Sequence, residues 1–258
     1  MRLMKRILSA AAVLALSASL LVGCSSGTAS SVPVSASSAA ESTVSSVEET
    51  ASSAVDENEA AAAQLLNDLT GSYQELWPVI LADEYKQTWL DDCTALVGEE
   101  NAEAAFEKLS SMVTSDVYGE DAVEAYANGG GAYFCGFTNS LAILTFDGET
   151  STISGTDKDG NVLFSHTYHY IGMEPVRGLY EFQSDDADSG EFTYFFLAPD
   201  TSAETYHIEF RYGSDADALS QYDAGDYAYW VASGISTDCD QTMIDNCIEL
   251  FCTENLAG

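Results

Sequence analysis

Three histidines, His166, His169 and His207, are all the imidazoles in this chain, so each can be weighed for chemistry. In an extended segment successive side chains alternate faces, which puts Thr205, His207, Glu209 and Arg211 on one side and Tyr206, Ile208 and Phe210 on the other. His207 and Glu209 then stand about 7 Å apart along the backbone. An imidazole and a carboxylate at that spacing can share one ion, since Zn²⁺ accepts nitrogen from the first and oxygen from the second. The plainer reading is a polar stripe in which Glu209 pairs with Arg211 or orients His207. His166 and His169, three residues apart on one predicted strand, point to opposite sides of it.

Other constellations are weaker. Asp157-Lys158-Asp159-Gly160-Asn161 mimics part of a calcium loop but lacks its spaced terminal glutamate, and a hairpin turn accounts for it better. Asp185, Asp186, Asp188 and Glu191 form an acidic stretch best read as a solvated turn. The one Gly-x-Ser-x-Gly match, Gly23-Cys24-Ser25-Ser26-Gly27, falls in the leader and not in the expected domain, and there is no phosphate loop or Cys-x-x-Cys pair. A binding protein is expected, not an enzyme.

The elements that must position these residues begin after a long leader. Arg2, Lys5 and Arg6 precede the apolar run Ile7 to Val22, as in an export signal. Leu21-Val22-Gly23-Cys24 resembles a bacterial lipoprotein lipobox, which implies cleavage before Cys24 and a diacylglycerol on its sulfur. Residues 1–23 are thus expected to be a lipoprotein signal peptide. Residues 24–60 read as the acylated cysteine and a Ser/Ala/Glu tether with no aromatic residue to nucleate a core. One domain is expected over 61–258. From residue 61 on, only five bases face 36 acids. That balance excludes nucleic-acid binding, which needs clustered cations, and leaves the N-terminal lipid as the only expected membrane contact. It also favours cations near the surface.

Setting Cys24 aside leaves Cys93, Cys135, Cys239, Cys247 and Cys252, an odd number, so at least one thiol is free or intermolecular. Were 238–254 one helix, Cys239 and Cys247 would lie about 12 Å apart along it and could not bridge. Cys93 with Cys135 is the pairing to test first.

Residues 61–128 favour helix, with Phe106, Leu109, Met112 and Val113 at helical spacing, until Gly129-Gly130-Gly131 breaks the pattern. Short aromatic and β-branched runs then follow: 133–137, 141–146, 150–156, 162–171, 179–183, 192–197 and 206–212. Tight turns such as Asp147-Gly148 join them. A helical stripe of Ile244, Ile248 and Phe251 closes the chain after the cap at 236–238. The fold class is therefore β-rich α+β: an antiparallel up-and-down barrel with flanking N- and C-terminal helices.

Five segments in order carry a family resemblance. Residues 69–78, Leu-Thr-Gly-Ser-Tyr-Gln-Glu-Leu-Trp-Pro, look like an aromatic-x-Gly-x-Trp-Gln-Ser-Val-Tyr-Pro opening. Tyr168-His169-Tyr170-Ile171-Gly172 and Arg177-Gly178-Leu179-Tyr180-Glu181 resemble the Tyr-x-Tyr-x-Gly and Arg-Tyr-Leu-Phe-Glu strands. Ala198-Pro199 through Tyr206-His207-Ile208 and the aromatic stretch 226–230 follow in register. Together they are similar to the ZinT (YodA-like) family of secreted calycin-type zinc-binding proteins, thought to supply zinc importers. The resemblance implies a calycin-like barrel with a three-histidine zinc site inside it. The corresponding positions here are Phe195, Thr205 and His207, so one histidine is kept, and the family's His-rich loop has no counterpart. Further donors would come from Glu209, His169 or Glu181.

The expectation is a lipid-anchored protein on the extracytoplasmic face of the cell membrane. It would bind Zn²⁺, or another divalent cation, through His207, Glu209 and His169, and pass it to a metal ABC importer. The alternative is a metal-free calycin-like module that holds a small organic ligand in an aromatic-lined cavity or binds a protein partner.

Overall fold

The computed structural model describes residues 57–129, 131–198 and 207–257. The signal peptide, Cys24, nearly all of the tether and the stretch 199–206 with Thr205 lie outside the described residues. Helix α1 occupies 57–68, so helical structure begins four residues ahead of the boundary expected at 61. Its Ala62, Leu65 and Leu66, with the following Leu69, are buried in the barrel core. The turn after the second strand comes down onto it: a Cβ on Gly148 would meet the backbone of Asn67 at 2.4 Å, so no larger residue fits there.

The barrel runs β1 (Gly71–Glu75), β2 (Ile143–Asp147), β3 (Thr152–Thr156), β4 (Val162–Met173), β5 (Tyr180–Ser184), β6 (Tyr194–Leu197), β7 (His207–Gly213) and β8 (Ala232–Ser236). Each strand pairs antiparallel with the next and β8 returns to β1, giving a closed up-and-down barrel without free edges. Helices α2 (Leu76–Ile80), α3 (Lys86–Val97), α4 (Glu99–Ser111) and α5 (Glu120–Ala127) lie between β1 and β2. A short α6 (Ala216–Leu219) follows β7, and α7 (Gln241–Leu256) ends the chain.

Alternation sorts the side chains. Phe164 and Tyr168 of β4 are buried while Leu163, Ser165, Thr167 and His169 are exposed. Along the barrel axis, Phe195 stacks on Tyr212 at 5.4 Å and meets Tyr168 edge-on at 5.4 Å, with Phe210 beyond. Phe195, Phe210 and Tyr212 are completely buried. Close-packed rings fill the axis, so the open aromatic cavity of the alternative reading is not found among them. A second core joins α2, α3, α4 and α7 to the outer wall through Trp77, Trp89, Leu109, Ile235 and Ile248.

Two strands escaped the sequence reading. β1 falls in a stretch of helical composition, and β8, Ala-Ser-Gly-Ile-Ser, is too poor in β-branched and aromatic residues to announce itself. Pairing decides both: β8 lies between β1 and β7 and closes the ring. Small residues suit it there, because a Cβ on Gly234 would come within 3.0 Å of the Ile208 side chain. Conversely, 133–137 is not a strand; only isolated bridges from Phe134 to Thr114 and Trp230 form.

Candidate functional site

Strand β7 carries the residues of interest. Ile208, Phe210 and Tyr212 pack into the barrel core, so His207, Glu209 and Arg211 must project from the outer wall. This corrects the expectation, carried by the resemblance, of a histidine inside the barrel. The inward side of β7 is occupied by the rings that pair with Phe195, which left the outer side for the polar set.

Helix α7 faces the His207–Glu209 part of that wall. The Asp240 carboxylate caps it, accepting from the Met243 amide at 3.0 Å. Cys239 therefore lies before the helix, not within it. Ile244, Cys247, Ile248 and Cys252 bury one side of the helix. Between helix and wall remains a cavity of about 30 Å³, bounded by Trp77 and Ile80 of α2, His207 and Glu209 of β7, and Cys247, Phe251 and Glu254 of α7. A single water needs roughly 10–15 Å³, so the space suits one small occupant.

The lining combines one imidazole, two carboxylates and one thiol. His207 and Glu209 are partly buried and Glu254 is exposed at the rim. The electrostatics mark the wall as negative and apolar at once. Burial first, then the charge of Glu209, push the Cys135 thiol up to about 12, against hydrogen bonding from Ser233 and Trp77. Burial likewise pushes Cys247 up to about 12. Both are neutral thiols at pH 7. Among the described residues, no three His, Cys, Asp or Glu side chains are gathered tightly enough to hold a metal ion as they stand. The donors border the cavity without closing on one point.

His169, the third expected donor, is elsewhere. It sits on the outer face of β4, with Nδ1 2.6 Å from the Asp185 carboxylate. β5 and β6 separate β4 from β7, and three strand spacings of about 4.8 Å put His169 some 14 Å around the wall. His166, on the opposite side of β4, lies 2.8 Å from Asp186. The acidic turn thus serves the two neighbouring histidines. Glu191 accepts from Ser214 and Tyr227, both at 3.2 Å. The Asp157 turn is a hairpin held by its own carboxylate, which accepts from the amides of Asp159 and Asn161 at 2.9 Å. Asn161 holds that carboxyl below the usual range.

Arg211, third on the β7 face, is completely buried. Its guanidinium donates to the backbone carbonyls of Leu219, Gln221 and Tyr227 and lies over the Tyr222 ring at 4.4 Å. Sequence reasoning missed Glu254 and Cys247. Their signal was spacing: Cys247, Phe251 and Glu254 recur at i, i+4 and i+7 on one helix face.

No family profile and no curated protein sequence matches the chain. Among solved structures, the zinc-bound ZinT-like domain of Streptococcus pneumoniae AdcA aligns with a TM-score of 0.45 and 15% identity, covering 71% of this chain and 89% of that one. Zinc-bound AdcA from Streptococcus pneumoniae aligns with a TM-score of 0.44 and 13% identity, covering 72% of this chain and 35% of that one.

Proposed function

We propose that this chain is a membrane-tethered, extracytoplasmic binding protein for a divalent cation, Zn²⁺ first, held at the β7–α7 cavity and passed to a metal ABC importer. The observation that carries this reading is the lining of one water-sized cavity by His207, Glu209 and Glu254. An imidazole nitrogen with two carboxylate oxygens is a zinc donor set. Because the donors border the space without converging, binding draws the side chains inward. A carboxylate-rich set is also harder than three imidazoles, which costs selectivity and admits Mn²⁺ or Ca²⁺. The excess of 42 acids over 8 bases raises the local cation concentration at such a mouth. The lipobox-like Leu21-Val22-Gly23-Cys24 and the segment that follows supply the tether.

Calorimetric titration of metal-stripped protein with Zn²⁺ tests the site. Micromolar or tighter binding is expected, with at least tenfold loss in His207→Ala and in Glu209→Gln. Absence of heat at micromolar zinc, or undiminished binding in His207→Ala, refutes the assignment.

A further inference from the structure

The helical layer holds a pair of sulfurs that the cation site does not use. Cys93 on α3 and Cys252 on α7 bring their Sγ atoms to 3.9 Å across 159 residues of chain, and both residues are completely buried. This corrects the expected pairing of Cys93 with Cys135, which lies against the barrel wall near Ser233. Among the remaining thiols, Cys239 precedes α7 and Cys247 faces the cavity. A disulfide needs its sulfurs roughly 2.05 Å apart, and the 3.9 Å contact makes these two side chains direct neighbours across the packed α3–α7 pair.

We infer that Cys93 and Cys252 are a modification site: oxidised outside the reducing cytoplasm, they form a disulfide that staples the C-terminal helix to α3. The oxidant is a low-molecular-weight disulfide or the disulfide of a thiol oxidoreductase. One cysteine thiolate attacks a sulfur of that disulfide, forming a mixed disulfide and expelling one thiolate. The second cysteine then attacks the protein sulfur of the mixed disulfide, expelling the other thiolate. Each cysteine gives up one proton and one electron, and the oxidant leaves as two thiols. Because neither sulfur is accessible in the packed state, exchange waits for α7 to lift or precedes its docking. Oxidation during refolding is therefore faster than in the folded protein. The bond closes a loop of about 160 residues, which constrains the unfolded chain strongly.

The test is a peptide map of the full chain, refolded with oxidised and reduced glutathione, alkylated without reduction and cleaved after glutamate. Cleavage separates Tyr85–Glu99, holding Cys93, from Leu250–Glu254, holding Cys252. The expected result is a cross-linked pair of these two peptides that dithiothreitol resolves. The melting temperature is expected about 10 °C higher in the oxidised sample. Cys93→Ser removes that redox-dependent shift and Cys135→Ser keeps it. Recovery of both peptides in alkylated form after refolding, or of Cys252 joined to any other cysteine, overturns the assignment. The map on the unsubstituted chain decides the matter even if Cys93→Ser fails to fold.

Discussion

On the outer face of β4 the Nδ1 atom of His169 lies 2.6 Å from the Asp185 carboxylate, three strands away from His207 in the ring. This contact joins β4 to the turn after β5 and occupies the imidazole locally. His169→Ala is therefore expected to leave the zinc dissociation constant within about twofold, since a hydrogen-bonded pair this exposed contributes little beyond its own turn. A tenfold loss by calorimetry would put His169 back among the donors and remove the β7–α7 cavity as the binding place.

A companion prediction concerns Phe195, which stands where the resemblance has a histidine. Its ring is completely buried on the barrel axis, while His207 leaves β7 on the outer side. Phe195→His is expected to leave zinc affinity unchanged. It should lower stability by about 2–4 kcal/mol, because the imidazole enters an apolar ring stack without a dedicated partner and leaves volume unfilled. Urea unfolding and zinc titration of the same variant measure both effects. Tighter zinc binding would mean that the two positions share a face.

These two cases also show what was legible beforehand. The period-2 pattern of β7 puts His207, Glu209 and Arg211 on one face, as the burial of Ile208, Phe210 and Tyr212 in the core requires. Pattern alone does not say which face looks inward. That depends on the partner strands, where Phe195 and Tyr212 stand opposite each other and claim the axis. Strands rich in tyrosine and phenylalanine, such as β4 and β6, declared themselves. β8 did not, because its small residues answer to neighbours distant in sequence. The same reason hid Glu254: nothing local to α7 reveals that β7 runs beneath it.

Arg211 sharpens the point, since its charge suggested a partner in Glu209 and its guanidinium instead gathers the carbonyls of Leu219, Gln221 and Tyr227. Arg211→Lys is expected to cost about 3 kcal/mol, because a single ammonium cannot span the planar fork and leaves buried carbonyls without donors. Chemical denaturation measures it; a loss below 1 kcal/mol would show that water takes over these carbonyls.

Alkaline pH is expected to unfold this protein early, and the direction follows from its buried acids. Burial pushes Tyr126 and Tyr222 up to about 12 and raises Tyr168 and Tyr212 further. It also pushes the reduced thiols of Cys135 and Cys247 up to about 12. In the unfolded chain these groups titrate near 10 for the phenols and 8.5 for the thiols. Between those values and 12 the native state holds more protons than the unfolded one, so stability falls as pH rises. The contribution is whole below about pH 8.5 and is lost through pH 12. Arg211 acts oppositely, since burial lowers it to about 10. It releases its proton in the native state first and adds stability over the same range, but it is one group against the six named and the other raised thiols, Cys93 and Cys252 among them. Melting temperatures of the reduced protein should be level from pH 7 to 8 and fall steadily from pH 9 upward. Tyr222→Phe should flatten part of that fall. A melting temperature unchanged between pH 8 and 11 would mean that the buried phenols and thiols reach solvent without unfolding.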